Sequence, residues 1–327
     1  MARQLNKAKL VDVMTRYQAY LEGVKLQFGQ SFEITIREIR KDFREIFFDV
    51  DAATLDGLTK RQLDQFIRKL VRAQNKHFSA YTAKLLADLR EFMAASTEVH
   101  SEIMRDTQQS SKRQLAALLA LLTASQQKKL WALVVTSPLP ANGVSLEDSL
   151  LRFSDSAANT LIALIRKHAA NKARPRDALL ALIGTPTNAL RDGQVTRYGY
   201  QAAALSATFV QHASNIVQAA VNAEYFDFYR WLSIIDSRTS EICRSRNDKI
   251  YGFGKGPLPP AHMNCRSHVE PVDPDDVDAP PASYGAWYAN QPANVREDIG
   301  GDGATFKPRE ALTTKQFRNK LKFLLSA

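Results

Sequence analysis

The chain has 327 residues, with 44 Lys and Arg against 34 Asp and Glu, a net charge of +10 and only two cysteines. That length allows roughly two domains and a substantial buried core. Two cysteines exclude a disulfide-built secreted scaffold and fit a reducing cytosol. No charged-then-apolar leader opens the sequence and no run approaches the ~18 apolar residues of a membrane span, so cytoplasmic assembly without a membrane partner is expected.

Residues 1–135 read as long helices. Leu5, Leu10, Val13 and Tyr17 recur near a 3.6-residue period, as do Leu63, Phe66, Ile67, Leu70 and Val71. Thr59 is placed to cap the second stripe. Leu85, Leu89, Phe92 and Met93 carry the stripe onward, and 114–135 predicts one strongly apolar helix stopped at Ser137-Pro138. Gly and Pro are nearly absent here, which suits a helical bundle or an extended arm. After the loop SPLPANGVS, a helix is expected over 146–170, opened by Ser145 with Asp148 three residues on. Pro175 then breaks the chain before a short helix. A polar turn region is expected over 184–199, and an Ala-rich helix over 201–229.

Past Trp231 the pattern changes. Short β-like runs at 232–235, 249–253 and 269–272 predict a small sheet. EPVDPDDVDAPP, with acids, prolines and no base, reads as a linker. The last 40 residues predict a Trp/Tyr-bearing helix, a Gly-Gly-Asp-Gly turn and a basic amphipathic end helix. Phe317, Leu321, Leu324 and Leu325 line one face of that helix, suited to closing the small domain or docking on a partner. The expected fold is mainly α: a long helical N-terminal bundle or arm, then a small α+β C-terminal domain. The expected division is 1–190 helical, 191–272 the small domain, and 273–327 the acidic linker with the basic end helix.

Most of the positive charge is distributed. Arg37, Arg40, Lys41 and Arg44 alternate with Glu33, Glu38 and Glu45, the pattern of a solvated helix face. Arg61, Arg68, Lys69, Arg72 and Lys76 make a better basic stripe. Lys315, Arg318, Lys320 and Lys322 of the end helix are candidates for contact with nucleic acid or an acidic partner.

The chemistry concentrates in RWLSIIDSRTSEICRSRNDKIYGFGKGPLPPAHMNCRSHVEP, residues 230–271. It holds both cysteines and two of the six histidines. His262 and Cys265 stand at His-x-x-Cys spacing, and Cys243 is a distant third donor. Thiolates and imidazole on tight turns suit tetrahedral zinc. The fourth ligand is open among His268, Asp236 and Asp248. A disulfide between Cys243 and Cys265, and a pair of plain buried thiols, are the alternatives. Asn264 is suited to the sharp turn before Cys265, and Pro259 and Pro260 stiffen the approach to it.

The set Trp231, Asp236, Arg238, Thr239, Ser240, Cys243, Asp248, Pro259, Pro260, His262, Asn264, Cys265 and Arg266 is similar, in order and spacing, to the minor head protein family typified by protein F of phage Mu. The match covers about an eighth of the chain, with a weaker extension over 284–300. Many members of that family have Cys where this chain has Ser267, and carry an Arg-Thr pair absent from the preceding helix here. The resemblance implies a structural, non-enzymatic minor capsid protein of a tailed phage. Its partners would be the portal protein, a major capsid or scaffolding protein and the packaged DNA. It would sit in the virion head near the portal vertex and assist head assembly, DNA packaging and delivery. The alternatives are a DNA-binding internal virion protein and a nucleic-acid-directed enzyme using the Cys/His cluster.

Overall fold

The computed structural model describes residues 2–50, 52–273, 284–300 and 310–326. The protein is mainly α-helical with a small three-stranded sheet towards its C-terminus. The helices are α1 (Ala2–Gln30), α2 (Phe32–Phe48), α3 (Lys60–Thr107), α4 (Lys112–Leu121), α5 (Ala124–Thr136), α6 (Leu146–Ala170), α7 (Pro175–Ile183) and α8 (Gln194–Asn222). Then follow β1 (Phe228–Leu232), α9 (Glu241–Arg246), β2 (Ile250–Gly252) and β3 (His268–Val272), and finally α10 (Tyr284–Ala289), α11 (Ala293–Ile299) and α12 (Thr314–Ser326). Among the described residues no helix is long and apolar enough to cross a membrane.

Local chemistry sets several of these boundaries. Thr59 caps α3 reciprocally: its Oγ1 accepts from Gln62 N at 3.3 Å, and Gln62 Oε1 accepts from Thr59 N at 2.9 Å. The long apolar helix expected over 114–135 is two helices. Thr123 interrupts it, with its hydroxyl accepting from Gln126 N and donating to Ala120 O. A hydroxyl that can satisfy both ends of a break outweighs the apolar period around it. The stretch taken as polar turns over 184–199 holds the start of α8 from Gln194. The linker segment 274–283 and the residues 301–309, including most of the Gly-Gly-Asp-Gly turn, lie outside the described residues, as do the side chains of Leu5, Leu324 and Leu325.

The chain forms two compact units that do not follow sequence order. One comprises the chain up to Gln27, Asp88–Leu146 and the part from Ser206 onward; the other comprises Phe28–Ala87 and Glu147–Leu205. The linear division 1–190, 191–272 and 273–327 therefore cuts across both.

The second unit has an aromatic core. Phe78 stacks on Phe153 with ring centroids 5.0 Å apart, and Phe32 meets Tyr81 edge-on at 4.7 Å. Arg40 belongs to this packing. It donates to the carbonyls of Ile183 (3.1 Å) and Leu190 (2.7 Å) and to Thr196 Oγ1 (2.7 Å), so it caps the end of α7 rather than lying on a solvated face. Arg61, Arg68, Lys69, Arg72 and Lys76 are exposed along α3, as their spacing predicts.

The first unit contains the sheet, in the order β2-β1-β3, antiparallel throughout. β1 pairs Tyr229 with Tyr251 on one side and with Pro271 on the other. The helical core of this unit is unusually polar. Tyr17 Oη bonds Ser96 Oγ at 2.6 Å and Ser214 Oγ at 2.8 Å. Gln18 Nε2 donates to Glu22 at 2.9 Å and to Gln211 at 3.2 Å. His100 lies against the Tyr17 ring, fully buried, with neither ring nitrogen hydrogen-bonded. The C-terminal helices complete the unit: Trp287 Nε1 donates to Asp12 at 2.9 Å, and Phe317 is buried against Tyr17 and Phe92. The end helix thus closes its own unit. Arg318 pairs with Glu98, Lys320 with Asp298 and Glu310, and Lys322 with Glu102. Of the four cations singled out for external contact, Lys315 alone has no ion pair among the described residues.

Burial holds the two histidines on the helices of this unit well below their ordinary 6.5: His100 is pushed down to about 3 and His212 to about 4. Above pH 6.5 both are neutral in either state. Below it the unfolded chain takes up protons that the folded chain refuses, so stability falls with pH. Each histidine removes about 1.4 kcal/mol per pH unit in that range. Thermal melts should therefore show Tm dropping from pH 6.5 towards 4, and His100→Gln should flatten the slope.

Candidate metal centre

The site is built by three short segments of the first unit. The first leaves β1 after Leu232 and turns at Asp236. Asp236 Oδ1 accepts from Arg238 N at 2.8 Å, and Thr239 Oγ1 accepts from Asp236 N at 2.8 Å while donating to Ile234 O at 2.6 Å. These side chains take the backbone partners that a strand would need. That is why the strand expected at 232–235 lies four residues earlier, in β1. Ser240 then caps α9, accepting from Cys243 N at 3.4 Å. The helix places Cys243 inward, 2% exposed.

The second segment is the loop 253–262. Gly256 packs so tightly on Tyr251 and Tyr229 that a β-carbon there would overlap both side chains. Tyr229 Oη donates to Pro257 O at 2.6 Å, and Asn215 Nδ2 to Pro259 O at 3.1 Å. The Pro259–Pro260 peptide is cis. The third segment is the turn His262–Cys265, closed by Cys265 N donating to His262 O at 3.2 Å. Asn264 sits there at φ 59, a left-handed conformation asparagine tolerates, and its N–H donates to Thr208 Oγ1 at 3.0 Å. From α1, the buried Lys25 ammonium donates to Cys265 O at 3.0 Å and to Glu22 at 2.6 Å.

These segments bring Cys243, His262 and Cys265 together, with their donor atoms all within 4.8 Å of one another. The Sγ–Sγ distance is 3.7 Å, and both thiols are free. Cys243 Sγ lies 3.1 Å from His262 Nε2. Zinc bound tetrahedrally at ordinary bond lengths sets S–S edges of about 3.8 Å and S–N edges of about 3.6 Å, so the sulfurs already stand at metal-bridging separation. His262 Nδ1 lies 2.8 Å from Met263 O. A donating Nδ1–H fixes the tautomer that leaves Nε2 free to ligate. Hydrogen bonding from Cys243, and then from His262, draws the Cys265 thiol below its usual range, and the same sharing pushes Cys243 up. A thiol drawn down in this way reaches more readily the thiolate form that ligates. The group could hold a metal ion.

The other proposed donors do not join it. His268 begins β3, opposite Leu232, and lies outside the group of three; its ring is buried, its Nδ1 has no hydrogen-bond partner, and burial pushes it down to about 4. Asp236 spends its carboxylate on Arg266, which bonds both oxygens at 2.7 and 2.6 Å. Asp248 pairs with Arg230 at 3.2 Å and sits at φ 68 in the turn before β2. Trp231 is fully buried with Cys243, Ala261 and Cys265, and the Arg246 guanidinium lies 5.1 Å from its ring centre.

Sequence reasoning missed Ser233. Its Oγ accepts from Trp231 Nε1 at 3.1 Å, donates to Cys243 O at 3.0 Å and lies 2.9 Å from Ser267 Oγ, tying β1, α9 and the stretch before β3. It missed Lys25, Thr208 and Asn215 as well, since nothing local marks a residue on a distant helix as a support. Comparison with family models, curated proteins and solved structures gave no match.

Arg266 holds the Asp236 carboxyl down at about 2, against an ordinary 3.8. A depressed carboxyl stabilises the fold fully above its unfolded value, and that contribution is lost as pH falls from about 4 to about 2. Asp236→Asn should cost about 2 kcal/mol at neutral pH and nothing near pH 2, as read by urea unfolding at both pH values.

Proposed function

We propose that this chain is a structural, non-enzymatic head protein of a tailed phage, associated with the portal and assisting head assembly and DNA packaging or delivery. The supporting observation is where the polar atoms of the family-like residues go. Asp236, Arg266, Arg238, Thr239 and Ser240 bond one another and the backbone of the same turn, and Cys243, His262 and Cys265 bond one another. A catalytic constellation keeps groups aimed at a substrate; this one is spent on cross-linking itself. On this reading the ion is zinc, which suits two thiolates and an imidazole. When bound it supplies a cross-link, fastening α9 to the turn at 262–265 in a module with little core of its own.

A second observation favours assembly with other proteins. Leu115, Leu119 and Leu122 of the α4 region and Leu133 of α5 are exposed, the most open of them by half or more. Lys112, Arg113, Lys128 and Lys129 flank them, exposed and without an ion pair among the described residues. Apolar surface rimmed by unpaired cations fits an acidic amphipathic helix of the portal or capsid partner. An internal DNA-binding role is the second reading, favoured by the exposed stripe of Arg61, Arg68, Lys69, Arg72 and Lys76; it requires DNA affinity that falls steeply with salt.

Elemental mass spectrometry should find about one zinc per chain, lost in His262→Ala and Cys265→Ala. At a thousandfold excess of free zinc over its Kd, the wild type should gain about 4 kcal/mol of stability that neither variant gains. The assembly reading is tested with Leu119→Glu/Leu133→Glu, which should keep zinc and fold yet fail to enter particles assembled with the portal and capsid proteins. Normal incorporation of that variant would defeat the assigned surface.

A further inference from the structure

We propose that the outward face of α3 in the second unit is a contact surface for the phosphate backbone of double-helical nucleic acid. The inference rests on the DNA-binding reading above and adds to it the place of contact and the class of nucleic acid.

The second unit carries 19 Lys and Arg against 13 Asp and Glu. The excess is not spread. Residues 60–87 hold seven of these cations and one acid, so the remainder of the unit is balanced at 12 of each sign. From residue 65 to residue 87 there is no acid at all. The one acid, Asp64, lies 3.7 Å from Arg166 of α6. The whole surplus field of the unit therefore issues from one stretch of helix.

Helix geometry focuses it further. Arg61, Arg68, Lys69, Arg72 and Lys76 are exposed and have no ion pair among the described residues. At 3.6 residues per turn these positions fall within about 100° of one another around α3 and span about 22 Å along it. The opposite side of the same helix is buried at Leu70, Phe78 and Tyr81, where it joins the aromatic core. The stripe is thus carried on a packed rod.

The surroundings choose the partner. Gln62, Gln65, Asn75 and Ser79 are exposed among and beside the cations, and amide and hydroxyl groups suit phosphate oxygens. Among the described residues between Phe48 and Leu115, no large apolar side chain is exposed. A protein partner seats on apolar anchors, which the α4–α5 surface of the first unit has and this face lacks. A single strand stacks its bases on exposed aromatic rings, and this face has none. Concentrated charge without such anchors fits a duplex, which presents phosphates at regular spacing and keeps its bases stacked inside.

The test is fluorescence anisotropy of a labelled DNA duplex of arbitrary sequence, titrated with the full chain over a range of salt. Five phosphate contacts predict a slope of log K against log salt of about −4.5. Arg68→Gln/Arg72→Gln/Lys76→Gln should bring the slope to about −2 and weaken binding on the order of a hundredfold at roughly 0.1 M salt. Arg37→Gln/Lys41→Gln/Arg44→Gln removes the same charge from exposed positions of α2 in the same unit and should leave the slope as it is. Equal losses in the two variants would overturn the α3 face while leaving DNA binding standing. Failure of the wild type to bind the duplex even at low salt would remove the DNA-binding reading itself. Polyglutamate bound as tightly as the duplex, and weakened equally by the α3 variant, would overturn the nucleic-acid class and give the face to an acidic protein. All six substitutions are at exposed positions, and unchanged thermal melts should confirm that both variants fold.

Discussion

The part of this protein that carries its chemistry cannot bury enough surface to stand alone. Its sheet has strands of five, three and five residues, and its one helix, α9, has six. Strands that short, with one helix of under two turns, supply little apolar area. Everything distinctive about the module answers that shortage. Trp231 is its largest fully buried side chain. Ser233 ties β1, α9 and the stretch before β3 through one hydroxyl, Arg266 clamps the Asp236 turn, and two sulfurs and an imidazole close the far side. The remainder comes from outside the module, through Lys25 on α1 and Thr208 and Asn215 on α8. Lys25 is the most demanding of these contacts: a buried ammonium is tolerable only because Glu22 and a carbonyl both receive it.

The helices that support the module pay for their part in polarity. Along α1, α3 and α8 of the first unit, tyrosine, serine, glutamine, asparagine and histidine take positions that a bundle ordinarily gives to leucine. Hydrogen bonds need particular partners at particular angles, whereas leucines accept many neighbours. Such a core specifies one arrangement of the helices, and with it the position of the groups that hold the turn at 262–265. It also leaves buried groups without partners, His100 among them, which cost stability that an apolar core would keep.

The mainly α class, the stop before Pro138, the helix from Leu146 to Ala170 and the restart at Pro175 were all legible, because each depends on period and local punctuation. So was the meeting of Cys243, His262 and Cys265, since rare donors had gathered in one window. Errors came where a side chain competes with the backbone. Thr123 splits an apolar run, and Thr239 and Asp236 displace the first strand towards Phe228. Ser240 starts α9 between two of the expected β-like runs. His268, offered by its spacing as a fourth donor, stands outside the group that Cys243, His262 and Cys265 form. The supports on α1 and α8 were not legible at all, because they lie 44 to 240 residues from the groups they hold.

The interleaving of the two units has a consequence for synthesis. A chain emerges from the ribosome N-terminus first, and units tend to fold as their parts become available. All of the second unit has been made once Leu205 is out. The first unit begins with the start of α1 but includes β1, the turn at 262–265 and Phe317, so its earliest helix is made long before its partners exist. During that interval Tyr17, Gln18 and Lys25 have none of their α8 or C-terminal partners. A helix whose buried face is rich in hydroxyl, amide and ammonium groups can wait in water more safely than one lined with leucine. The polarity that weakens the finished core thus protects the unfinished one from sticking to its neighbours.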